Sequence, residues 1–77
     1  MYTNCKYVVM ETPEGQNMYL FPARVVHRSV AGKMKGKAVS AGFVKLLDGE
    51  FVCRGRSESL RLSSRECDID LLRDMIT

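Results

Sequence analysis

Asp48-Gly49, set between the runs Phe43–Leu47 and Glu50–Arg54, decides more about this chain than any other feature. Asp-Gly between apolar runs is a strong signal for a two-residue hairpin loop. With these two residues as the loop, Leu47 pairs with Glu50, Leu46 with Phe51, Val44 with Cys53 and Gly42 with Gly55. Strand alternation then sets Val44, Leu46, Phe51 and Cys53 on one face, the core face. Phe43, Lys45, Leu47, Val52 and Arg54 fall on the other, which is mixed and leaves Phe43 and Val52 in need of a cover.

A second hairpin is expected upstream. Tyr7–Thr12 and Asn17–Phe21 are strand-like runs around Pro13-Glu14-Gly15-Gln16, and Pro22 cannot donate to a ladder, so it marks the strand end or an edge. Val26, Val30 and Met34 recur at four-residue spacing and predict a short helix over His27–Lys35. Gly32 weakens it by about 1 kcal/mol relative to Ala, and Gly36 is the expected C′ stop. A last helix is predicted from Ser64 to Ile76, with Ser63 and Glu66 as a capping box. Its apolar stripe is Ile69, Leu72 and Ile76, widened by Leu71 and Met75, with Asp68, Asp70 and Asp74 toward solvent.

The order ββαββα predicts an α+β fold: one small domain over residues 1–77, with a four-stranded, mainly antiparallel sheet and both helices on one face. The opposite face then stays partly apolar, which predicts a homo-oligomer formed through the sheet. Size points the same way. A chain of 77 residues has room for one core, and such a core supplies only roughly 3–5 kcal/mol unless something reinforces it.

Disulfides and metals are not expected to be that reinforcement. Cys5, Cys53 and Cys67 are an odd number without clustered spacing, and the opening Met1–Lys6 is too polar for a secretion signal. A reducing cytoplasm is the expected compartment. Cys5, His27, Cys53 and Cys67 lack the close pairing of structural zinc sites, so no metal or cofactor is expected. The apolar runs are far shorter than the ~20 residues that span a bilayer.

Catalytic groups are equally scarce. His27 is the one histidine and reads as a cap or surface residue; there is no Gly-x-Ser-x-Gly elbow and no cysteine in a nucleophile motif. The chemistry-bearing stretch is Arg54–Arg65, which carries Arg54, Arg56, Arg61 and Arg65 with Ser57, Ser59, Ser63 and Ser64. Guanidinium forks and hydroxyls grip phosphate or carboxylate oxygens, and a helix N-terminus beside them adds N–H donors. These eight residues are the candidate ligand groups, with Phe43 beside Arg54 to stack a base. The competing interpretation is a solvated connector.

Charge distribution fits an anionic partner. From Arg24 to Arg65, ten Lys/Arg face three acids, a balance of about +7, while the chain from Glu66 onward carries about −3. Nucleic acid is therefore a further candidate partner, although no nucleic-acid-binding motif is present and the overall charge is only +3.

Val39-Ser40-Ala41-Gly42-Phe43-Val44, Arg54–Leu60, and Ser64-Arg65 with Asp68 resemble small uncharacterised proteins carried by bacteriophages and prophages. Lys6–Thr12 and Phe21-Pro22 with His27 are similar to them too. The resemblance implies a phage product in a bacterial cytoplasm and carries over no activity and no binding residues. By analogy with other small phage proteins, the expectation is a non-catalytic binding protein that counters host defence by sequestering an anionic nucleotide-like ligand. The alternatives are a protein–protein inhibitor of a host effector and a nucleic-acid-binding accessory protein.

Overall fold

The computed structural model describes residues 4–76, so residues 1–3 of the polar opening lie outside it. Asp48 and Gly49 have φ of 50° and 82°, both positive as a type I′ turn requires, and they join β3 (Lys37–Leu47) to β4 (Glu50–Arg54). The pairs Leu47–Glu50, Leu46–Phe51 and Val44–Cys53 form as expected, and the ladder ends at Phe43–Arg54, before Gly42 and Gly55.

The first hairpin is tighter than its four-residue linker suggested. β1 (Asn4–Thr12) and β2 (Gly15–Phe21) pair from Thr12–Gly15 to Lys6–Phe21, leaving Pro13-Glu14 as the turn. β1 also pairs antiparallel with β3, so the sheet order is β2-β1-β3-β4. This is the expected α+β class with a four-stranded antiparallel sheet. A bulge at Val39 shifts the register between Val9–Ser40 and Met10–Ala38.

The helices do not share a face. α1 (His27–Ala31) lies over Val8, Met10, Phe21 and Ala41, whereas α2 (Asp68–Ile76) covers Tyr7, Val9, Met18 and Val44. The physical reason lies in β1. Tyr7-Val8-Val9-Met10 is apolar without interruption, and all four side chains are buried, so each side of the central strand needs its own cover. The result is three layers, with one small core on each side of the sheet.

α1 is shorter than predicted, ending at Gly32 in right-handed geometry rather than at Gly36. Gly36 instead starts the turn into β3, with φ of 99° against the Glu11 carbonyl. Arg54–Arg65 is not a plain loop: Gly55 (φ 86°) redirects the chain into a miniature hairpin, β5 (Arg56–Ser57) and β6 (Leu62–Ser63). Leu60 and Leu62 of this hairpin pack on the α1 side.

α2 begins later than predicted, and Ser63 is an exposed β6 residue rather than its cap. Asp68 takes the reach-back role expected of Glu66, its Oδ2 accepting from the Arg65 backbone N–H at 2.9 Å. Asp68 was expected in solvent and is fully buried. Among the described residues, no helix is long and apolar enough to cross a membrane.

Candidate functional site

The arginine–serine segment splits across the sheet, and much of it holds the fold together. Ser57 is buried, its Oγ accepting from the Leu60 N–H at 3.1 Å and lying 3.3 Å from the Ser59 Oγ. Ser59 also accepts from the Arg28 N–H at 3.2 Å, tying the β5–β6 turn to α1. The Ser64 N–H closes the base of the hairpin on the Gly55 carbonyl at 2.9 Å. Arg61 holds left-handed backbone at φ 56° in the turn, and both Arg61 and Ser63 are exposed.

Arg65 is the most committed of the candidates. Its Nε donates to Asp68 Oδ1 at 2.9 Å, and one terminal nitrogen reaches both Asp68 Oδ1 and Gln16 Oε1, each at 2.9 Å. Asp68 also accepts from the Tyr7 hydroxyl at 2.5 Å and the Ser40 hydroxyl at 3.0 Å. Burial, then the Asp68 carboxylate, push the Tyr7 phenol well above its ordinary range. This is a satisfied buried network that locks α2 to β1, β2 and β3.

Two hollows contain the remaining candidates. Along the β4 edge toward α2, Arg54, Ser64 and Arg65 line a space of about 560 Å³ with Val52, Cys53, Gly55, Glu66 and Ile69. Burial, with Asp68 and Cys5 nearby, pushes the Cys53 thiol up to about 11, which keeps it protonated and unreactive near neutral pH. On the α1 side, Phe43, Arg56 and Ser59 line a space of about 260 Å³ with Lys6, Val26, His27 and Glu58. Ser57, Arg61 and Ser63 line neither.

Two expectations about this second hollow are corrected. Phe43 does not lie open on the sheet: its ring meets the His27 ring edge-on at 5.8 Å, with the Lys6 ammonium 5.9 Å from its centre. A Cβ on Gly55 would stand 3.2 Å from the same ring, and Phe43 is a wall of the hollow. Of the face that motivated an oligomer, Phe43 and Val52 are half-buried, whereas Lys45, Leu47 and Arg54 are exposed. His27 is no surface cap either. It is buried between Phe21 and Phe43, with Nε2 donating to the Gly42 carbonyl at 2.9 Å. The sheet also separates His27 from Cys5 and Cys53, which pack on the α2 side.

Lys6 and His27 were not legible as site residues, because only the β1–β3 register and the α1 entry bring them to Phe43. Lys6 Nζ spends one of its three protons on the Val25 carbonyl, at 2.9 Å. Arg56 pairs with Glu58 at 3.3 Å, an exposed contact that an incoming anion can displace at little cost.

Burial holds the His27 pKa below its ordinary 6.5, despite the opposing Gly42 hydrogen bond. The unfolded chain therefore binds a proton first as pH falls, so stability declines below pH 6.5 and is unaffected by this group above it. Because His27 is the single histidine, one imidazole NMR resonance reports it. A midpoint below 6.5 is expected; a midpoint at or above 6.5 would show an open or charged site. Compared with protein-family models, curated proteins and solved structures, the chain matches none.

Proposed function

We propose that this chain is a non-catalytic binding protein that takes a small anionic, nucleotide-like ligand into the α1-side hollow. The observation that carries this reading is the meeting of Lys6 from β1 and Arg56 from β5 at one aromatic-walled recess, with Ser59 beside them and Glu58 as the lining acid. An ammonium and a guanidinium neutralise phosphate oxygens, and the hydroxyl fixes their orientation. Phe43, His27 and Val26 supply the apolar wall that small-molecule sites combine with a few polar groups.

In the setting implied by the phage resemblance, the ligand is a host nucleotide signal in the bacterial cytoplasm, and sequestering it counters host defence. Of the original candidates, Arg56, Ser59 and Phe43 remain as lining groups, whereas Arg65 and Ser57 act through the fold.

Native mass spectrometry of protein purified from a bacterial lysate is expected to show a bound nucleotide, with raised absorbance at 260 nm. In titration calorimetry with the ligand so identified, Arg56→Ala is expected to weaken binding by roughly 10- to 150-fold, the worth of a charge-assisted hydrogen bond. Lys33→Ala, an exposed control in the loop after α1, should leave affinity unchanged. A parent protein that carries no nucleotide, or an Arg56→Ala variant that binds like the parent, overturns the proposal.

A further inference from the structure

β4 is a terminal strand, paired with β3 on one side alone, and its sequence is Glu50-Phe51-Val52-Cys53-Arg54. Exposed strand edges invite another strand, and proteins blunt them with lysine, proline or a covering element. Gly15–Phe21, the β2 edge, contains no charged residue, and its Gln16 is already engaged by Glu11 and Arg65. β4 differs because its charges are arranged to complement their own reversal.

The geometry points to a two-fold dimer in which β4 pairs antiparallel with β4 of a second copy, centred on Val52. In that register Glu50 stands opposite Arg54 of the second copy and Arg54 opposite its Glu50, while the two Val52 side chains meet on the axis. Opposite charges directly across an antiparallel pair attract, and a one- or two-residue slip loses both contacts. The symmetry is isologous and closes, giving one continuous eight-stranded sheet rather than a fibre.

The α2 side of the same pairing leaves apolar surface to be covered. Phe51 is 43% exposed and lines a hollow with Ile69, Leu72 and the exposed Ile76. The pairing sets it opposite Cys53 of the second copy, and Cys53, Val52 and Ile69 line the hollow of about 560 Å³. Each copy therefore offers a half-exposed aromatic ring and a recess with an apolar floor to receive it. This dimer uses β4 and α2, and it does not depend on the ligand proposed for the α1 side.

Sedimentation equilibrium of the parent protein is expected to give twice the 8.7 kDa chain mass at micromolar concentration. Glu50→Arg and Arg54→Glu each set like charges across both symmetry-related contacts, and each should weaken dimerisation by about tenfold or more. The double variant E50R/R54E rebuilds the pairs in reversed order and should return the dissociation constant to near the parent value. Glu50 and Arg54 are both exposed, so circular dichroism should report folded protein for every variant. A monomeric parent, single variants that dimerise like the parent, or a folded double variant that stays dissociated each overturn the proposal.

Discussion

Asp68→Ala is expected to destabilise the protein by about 3–5 kcal/mol, the usual cost of removing one partner from a buried charge pair. Asp68 is fully buried and accepts from the Tyr7 and Ser40 hydroxyls, the Arg65 backbone N–H and the Arg65 guanidinium. Alanine leaves all four donors without their acceptor. A domain of this length has a total stability of about 4–12 kcal/mol, so the loss removes a large share of it. In urea, at a slope of roughly 1–3 kcal/mol/M, the unfolding midpoint should fall by more than about 1 M. Tyr7→Phe removes one donor to the same carboxylate and should cost less, about 1.5–3 kcal/mol. A midpoint for Asp68→Ala close to that of the parent would show that the network does not fasten α2 to the sheet.

Gly36→Ala should produce an effect of similar size, about 2–6 kcal/mol. Two penalties add at this position. Its φ of 99° lies where side chains other than glycine are strained, at about 1–3 kcal/mol. A Cβ would also stand 2.3 Å from the Glu11 carbonyl oxygen and 2.8 Å from the Thr12 methyl, forcing the β1 and β3 ends apart for about another 1–3 kcal/mol. Gly49→Ala is the matched control: φ is 82°, but the space around it is open, so only the backbone penalty applies. Denaturation midpoints should rank parent, Gly49→Ala, Gly36→Ala. Equal losses for the two variants would mean that the ends of β1 and β3 yield freely.

The candidate site was legible only as composition. Arg54–Arg65 was recognisable as the segment richest in phosphate-binding groups, yet Ser57 and Ser59 complete hydrogen bonds in the β5–β6 turn and to α1, and Arg65 is held by Asp68 and Gln16. Residue types in a row do not say which side of a sheet each will reach. Gly55 turns the chain, and the candidates divide between two hollows, with Ser57, Arg61 and Ser63 in neither. The apolar run Tyr7–Met10 did contain a usable signal. A strand apolar at every position is buried on both faces, which already argues against two helices on one side.

Local sequence determined the elements that depend on local chemistry. Asp48-Gly49 set the β3–β4 register residue by residue, because a two-residue turn leaves no freedom in which residues face each other. Pro22 ended β2, and the period of Ile69 and Leu72 placed α2 on an apolar surface. Tertiary structure alone decided where Asp68, His27 and Phe43 lie. Each sits at a meeting of segments far apart in the chain, Asp68 with Tyr7 and Ser40, His27 with Gly42, and Phe43 with Lys6. A polar side chain is buried only when distant partners satisfy it, and those partners exist only once β1 and β3 have paired.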